Sequence, residues 1–174
     1  MIMRLELSTI NDVEKIIEII DEAKIYLASL NIDQWQNGYP NKTEIENDIS
    51  NNESYVVFND QNQIIATSMF TINPEPTYKI IEGSWIIDES KKYGVIHRLA
   101  IKKEYKKMGV ASFMFEKFHE QLKRQKINSL KIDTHEQNLG MQSLIQKLGY
   151  QYCGVIYTKY QAKRLAFEKT LNVR

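Results

Sequence analysis

Ten consecutive residues, Lys102-Lys103-Glu104-Tyr105-Lys106-Lys107-Met108-Gly109-Val110-Ala111, set four lysines and one glutamate directly ahead of a helical pattern. A helix N-terminus carries unpaired N–H donors and partial positive charge, so cations are unfavourable there by themselves. The clustering makes electrostatic sense where an anion occupies the spot, and phosphate is the obvious guest. Gly109 and Ala111 contribute a missing and a minimal side chain, which let main-chain amides approach a pyrophosphate without a steric screen. The same letters also spell an ordinary solvated bend, so the pattern gains force only from what surrounds it.

A second chemical group lies just upstream. His97 interrupts an apolar run, and an imidazole with an unperturbed pKa near ~6.5 can accept a proton directly or through water. A core histidine bonded to a neighbour is the plainer alternative. Cys153 has no histidine in a dyad-like pattern and reads as packing, and His97, His119 and His135 lack metal-ligand spacing, so no metal is expected. Neither a P-loop nor a Gly-x-Gly-x-x-Gly dinucleotide turn is present.

The elements that must position these groups are visible as periodicities. Residues 2–7 alternate as a half-buried strand, with Ser8, Thr9 and Asn11 as helix caps behind it. Ile10, Val13, Ile16, Ile17, Ile20, Ala23 and Leu27 recur at helical spacing. Residues 31–40 form a loop bearing Trp35 and Tyr39, and 43–49 a short second helix. Residues 54–58 and 63–72 form an antiparallel hairpin about the polar turn 59–62. The stretch 73–93, with Pro74, Pro76, Tyr78, Gly83 and Trp85, is a long irregular loop suited to a functional role.

Residues 93–101 then form a strand whose alternation places His97 on the face of Val95, Leu99 and Ile101. A helix at 109–124 buries Val110, Phe113, Met114, Phe118 and Leu122. A strand at 129–134, a helix at 139–148 ended by Gly149, and strands at 150–158 and 165–169 complete the chain. This is one α/β domain over residues 1–174, built on a mixed sheet.

In this order the sequence resembles the GCN5-related N-acetyltransferases, the GNAT family. That family joins a strand to a helix through Arg or Gln, two residues, Gly, one residue, then Gly or Ala. Lys106-Lys107-Met108-Gly109-Val110-Ala111 fits at the glycine and the alanine, with Lys106 in the Arg or Gln place and without the forked guanidinium. Leu99-Ala100-Ile101, Asn138 and Leu148-Gly149-Tyr150 follow as further landmarks, so the likeness is strong over residues 93–158.

The resemblance implies a single-domain, mostly antiparallel mixed sheet of about six or seven strands flanked by about four helices. It implies an acetyl-coenzyme A dependent acyltransferase that acetylates a primary amine of a small molecule or peptide by direct attack. Loop residues Lys106 to Ala111 would hold the pyrophosphate, a splayed strand would offer Leu99 and Ile101 main-chain groups to the pantetheine arm, and Asn138 would bond the cofactor. The Leu99 amide would face the acetyl carbonyl, and His97 would be the base. Many relatives place an acidic tyrosine seven residues after the Asn, where this chain has Ile145; Tyr150, Tyr152 and Tyr157 are the substitutes at hand. That gap keeps open a catalytically silent coenzyme A binding or sensing module. Trp35, Tyr39 and Trp85 are the expected acceptor-pocket aromatics.

Composition narrows the partners. With 23 basic and 22 acidic side chains the net charge is +1, so nucleic-acid binding through Lys102, Lys103, Lys106 and Lys107 is disfavoured. No run approaches the roughly 18 apolar residues of a membrane span, and the N-terminus lacks a signal-peptide core. A cytoplasmic enzyme is expected, and a homodimer is compatible with the sequence.

Overall fold

The structure is a computed structural model that describes residues 1–88 and 90–172; Glu89, Val173 and Arg174 lie outside the described set. Among the described residues the regular elements are eight strands of one mixed sheet, four α-helices and three short 3-10 turns. The backbone gathers into two compact units, Met1–Phe70 with His97–Lys117, and Thr71–Ile96 with the residues from Phe118 on.

The first unit begins with strand β1 (Arg4–Leu7), a 3-10 turn (Ile10–Asp12) and helix α1 (Val13–Ser29). The Thr9 backbone N–H donates to Asp12 Oδ2 at 2.7 Å and so caps the turn. The turn displaces Ile10 from the buried face expected of it: Ile10 is 62% exposed, because three residues per turn fall out of phase with the helix that follows. From Val13 onward the expected face holds, with Ile16 and Ile20 fully buried.

Helix α2 (Lys42–Ser50) starts on a capping box in which Asn41 Oδ1 accepts from Thr43 and Glu44, while Glu44 accepts from the Asn41 N–H. Strands β2 (Ser54–Phe58) and β3 (Ile64–Thr71) form the expected hairpin, bulged between Val57 and Phe58. With the second half of strand β5 (Gly94–Ile101) they give the order β1-β2-β3-β5. Val13, Ile16, Ile19, Ile20, Ile45, Val56 and Ala100 make the core, so α1 and α2 pack on the sheet face that carries Val56 and Ala100.

In the second unit the order is β5-β6-β8-β7-β4, from β6 (Ser129–Thr134), β8 (Lys163–Thr170), β7 (Gln151–Tyr157) and β4 (Glu82–Gly83). The ladder of β5 on β6 is parallel; β6 on β8, β8 on β7 and β7 on β4 are antiparallel. Strand β4 brings the count to eight, above the six or seven expected. Two residues are too few to show a period, and Gly83 is read as loop punctuation. The strand forms because Gly83 meets Gly154 across the ladder: a Cβ on Gly83 would stand 2.1 Å from the Cys153 carbonyl oxygen, and one on Gly154 2.2 Å from that of Glu82.

Beneath this sheet Tyr78, Tyr93, Val95, Ile156 and Ala166 form a core. A polar knot is buried in the same unit. Glu168, fully buried, accepts from the Ile86 N–H at 2.6 Å and from the Ser129 hydroxyl at 2.5 Å. The Lys131 ammonium lies 4.5 Å from the Trp85 ring centre and 4.1 Å from that of Tyr93. These bonds tie the end of the long 73–93 loop to β6 and β8. Helix α3 (Val110–Arg124) and helix α4 (Leu139–Lys147) complete the set; α4 ends as expected at Gly149, whose φ of 87° suits glycine. Among the described residues no helix is long and apolar enough to cross a membrane.

Gly154→Val is therefore expected to destabilise the fold by at least about 2 kcal/mol, since both its φ of 147° and its contact with Glu82 resist a side chain. Thermal melting checks this; an unchanged melting temperature would contradict the packing described.

Candidate active site

The segment ahead of α3 belongs to the first unit. Lys103–Tyr105 make a 3-10 turn held at its start by Glu22 of α1, which accepts from the Lys103 N–H at 3.0 Å. At the other side the Tyr105 hydroxyl accepts from Asn59 of the β2–β3 turn at 3.1 Å. Past this turn the chain reaches α3 through two residues in the left-handed region, Lys107 at φ 63° and Gly109 at φ 82°. The first intrahelical bond runs from the Phe113 N–H to the Gly109 carbonyl at 3.0 Å. The amides of Gly109, Val110, Ala111 and Ser112 have no protein acceptor among the described residues. Nothing lies within 4 Å of the place where a Gly109 side chain would stand.

Four donors without a protein acceptor at a helix opening, with open space at the glycine, suit a diphosphate. Lys107, Met108 and Gly109 are exposed. Lys106 instead lays its ammonium 3.4 Å from the ring centre of Tyr26 on α1. Partial burial lowers its pKa, partly offset by Glu22. Tyr26 is half exposed, and nothing in the sequence pattern links it to this loop.

Strand β5 carries the other half of the candidate site. Its parallel ladder with β6 registers only Gly94 with Leu130 and Val95 with Lys131, and the strand runs on six residues beyond. Lys102 N–H to Ile65 O at 2.9 Å, and the Ser68 hydroxyl to the His97 carbonyl at 3.2 Å, tie its far half to β3. Inside this strand Arg98 has φ 54°. A left-handed residue breaks the pleat, so the alternation expected to set His97 on the face of Leu99 and Ile101 does not carry through residue 98. His97, Leu99 and Ile101 are each half-buried.

The Arg98 side chain explains how that conformation persists. Its Nε and Nη2 donate to Asp48 of α2 at 2.8 and 2.6 Å, a two-pronged ion pair with both side chains about nine-tenths buried. The remaining Nη1 donates to the Tyr39 hydroxyl at 2.5 Å. Burial pushes the Asp48 carboxyl up against the pull of Arg98, with His97 adding a smaller downward pull. Breaking such a pair by removing one partner costs about 3–5 kcal/mol, because the other charge stays buried. Sequence reading misses this group: Arg98 shows as a charge in an apolar strand, but nothing in the spacing names Asp48.

The expected pocket aromatics have definite surroundings. Tyr39 is half-buried beside Arg98, and Trp35, at φ 65°, packs against the core of the first unit. Trp85 belongs to the second unit, where its Nε1 donates to the Tyr78 carbonyl at 2.9 Å and its ring faces Tyr78 and Lys131. Tyr78 itself is buried and donates to Asp133 at 2.7 Å. Asn138, also in the second unit, caps α4 by accepting from the Met141 N–H at 3.2 Å.

Ile145 is fully buried, so the position that holds an acidic tyrosine in many relatives is core. Tyr150 is buried, and its hydroxyl lies 2.7 Å from His119 Nε2. Tyr152 and Tyr157 are exposed. Cys153 is buried and its thiol is pushed up to about 11, first by burial and then by Glu168, which suits packing rather than attack.

The model of the acetyltransferase (GNAT) family matches residues 22–150. A GNAT-family acetyltransferase structure from Streptococcus agalactiae 2603 is 32% identical, covering 98% of this chain and 96% of that one at a TM-score of 0.87. One from Listeria monocytogenes 4b F2365, 15% identical, covers 97% and 95% at 0.76. The ribosomal-protein-S18-alanine N-acetyltransferase from Escherichia coli, 9% identical, covers 99% and 96% at 0.63, and shares the fold. No curated protein sequence matches the chain.

Burial, with Lys169 and Lys123 adding to it, drops His119 from 6.5 to about 4. The folded chain thus keeps this imidazole neutral where the unfolded chain binds a proton. Its contribution to stability is complete above pH 6.5 and is lost as pH falls toward about 4. The melting temperature of wild type should fall more steeply across that window than that of His119→Gln; parallel profiles would contradict it.

Proposed function

Because this chain belongs to the GNAT acetyltransferase family, whose chemistry is acyl transfer, we propose that it is an acetyl-coenzyme A dependent N-acetyltransferase acting on a primary amine of a small molecule or peptide. One observation carries the cofactor assignment: four main-chain donors at Gly109–Ser112 stand without protein acceptors, in the segment that the family resemblance gives to the pyrophosphate. When bound, acetyl-coenzyme A supplies an activated acetyl thioester.

The chain's own groups supply the rest. The amides of residues 109–112 hold the diphosphate, and Lys107, exposed on the same loop, adds charge. Leu99 and Ile101, past the end of the β5–β6 ladder, offer main-chain groups to the pantetheine arm. The Leu99 N–H donates to the acyl oxygen, where negative charge grows during attack; a preorganised donor of this kind contributes several kcal/mol. An alkylammonium has a reference pKa near ~10.4 and must lose a proton before it attacks, and His97 takes that proton directly or through water. Tyr39 and Trp35 border the acceptor side; Asn138, in the second unit, caps α4. With Ile145 in the core, solvent protonates the departing thiolate, which is already a fair leaving group.

The buried Ile145 also motivates a second reading, a coenzyme A binding or sensing module without turnover. Two measurements separate the readings. Saturating acetyl-coenzyme A should raise the melting temperature by mass action, and an amine panel should then release free thiol. Stabilisation without thiol release across the panel favours the module, and no stabilisation refutes both. Gly109→Val should weaken acetyl-coenzyme A binding at least about tenfold, because valine resists the left-handed backbone that presents the amides.

His97→Ala should lower kcat about a hundredfold and remove the acidic limb of the pH–rate profile, with cofactor affinity nearly unchanged. Wild-type turnover in that variant would remove His97 from the mechanism.

A further inference from the structure

Arg98 is a non-glycine residue in the left-handed region, midway along a strand, directly before the amide assigned to the acyl oxygen. Such a residue persists only where its surroundings over-determine it. Three bonds from one guanidinium do so here, two to Asp48 and one to Tyr39, all inside the first unit. The direction of the Leu99 N–H is set by rotation about the backbone bonds of residue 98, so whatever fixes residue 98 fixes that donor.

We propose that the Arg98–Asp48 ion pair, completed by the Tyr39 hydroxyl, is a positioning device for catalysis: it locks the left-handed residue in β5 and thereby aims the Leu99 N–H. The proposal rests on the acyl-transfer reading for what that N–H does, but not for the geometry itself. Arg98 and Asp48 touch no reacting atom in this scheme. Tyr39, at the end of the loop between α1 and α2, ties that loop to the same guanidinium, so the ordering of the acceptor side and the aim of the donor share one anchor.

Arg98→Lys keeps a positive charge but loses the fork that spans both Asp48 oxygens. It should lower kcat at least about tenfold while KM for acetyl-coenzyme A changes less than about threefold, the pattern of a lost transition-state contact.

A pair of double variants separates positioning from a merely structural role. Arg98→Gly with Asp48→Ser, and Arg98→Ala with Asp48→Ser, both remove the ion pair without leaving a buried charge alone. Glycine adopts the left-handed conformation freely and alanine does not. The glycine variant should therefore exceed the alanine variant in kcat by at least about tenfold. In 15N-labelled protein its Leu99 amide resonance should also stay nearer the wild-type position. Equal kcat values and equal Leu99 shifts in the two variants would overturn the proposal. Should wild type prove inactive on every amine tested, the function assigned above fails, and the Leu99 resonance alone decides the positioning claim. If either double variant fails to fold, Arg98→Lys and Asp48→Asn carry the same comparison; wild-type kcat and an unmoved Leu99 amide in both would overturn it.

Discussion

Four backbone amides at the opening of α3 have no acceptor from the protein among the described residues, and the surrounding chain is arranged to keep them so. Helix N-termini are commonly closed by a serine, threonine, aspartate or asparagine, as α2 and α4 are closed by Asn41 and Asn138. Here the equivalent place is Gly109, which has no side chain to fold back. The chain enters α3 through two left-handed residues, Lys107 and Gly109, a backbone form found in anion-binding concavities. Glu22 and Asn59 grip the preceding turn from α1 and from the β2–β3 hairpin, so the loop is a fixed cradle rather than a loose connection.

Strand β5 answers the same need in another way. A strand interior ordinarily uses its N–H and C=O groups in ladders, and a donor can be spared for a substrate only where pairing stops. The parallel ladder with β6 stops at Val95, and the pleat is broken at Arg98. Both features cost stability locally, and the buried fork between Arg98 and Asp48 holds the strained residue in that geometry. A left-handed residue and a buried ion pair thus coincide directly before the amide assigned above to the acyl oxygen. Such coincidence is more easily explained by chemistry than by packing.

Much of this was legible in the residues. Strand β6 has the bounds that its apolar pattern gives, and α4 ends at Gly149. What escaped reading has a common physical origin in interactions distant along the chain. Strand β4 exists only because two glycines meet across a ladder, and neither Gly83 nor Gly154 announces the other. The left-handed Arg98 depends on Asp48, fifty residues earlier, so alternation counted along β5 alone placed His97, Leu99 and Ile101 on one face. Ile10 misled for the opposite reason: its spacing is helical, but the Thr9–Asp12 cap tightens that turn to 3-10 form. Trp85 shows why aromatic loop residues are weak evidence for a pocket, since its ring is spent on Tyr78 and Lys131.

The central claim is that the amides of residues 109–112 receive a diphosphate. Titrating 15N-labelled protein with coenzyme A, and separately with pantetheine, which lacks the diphosphate, tests it most directly. Saturable shifts of the Gly109, Val110, Ala111 and Ser112 resonances with coenzyme A, absent with pantetheine, are the predicted result. Resonances that stay in place at saturating coenzyme A while the protein remains folded would contradict it.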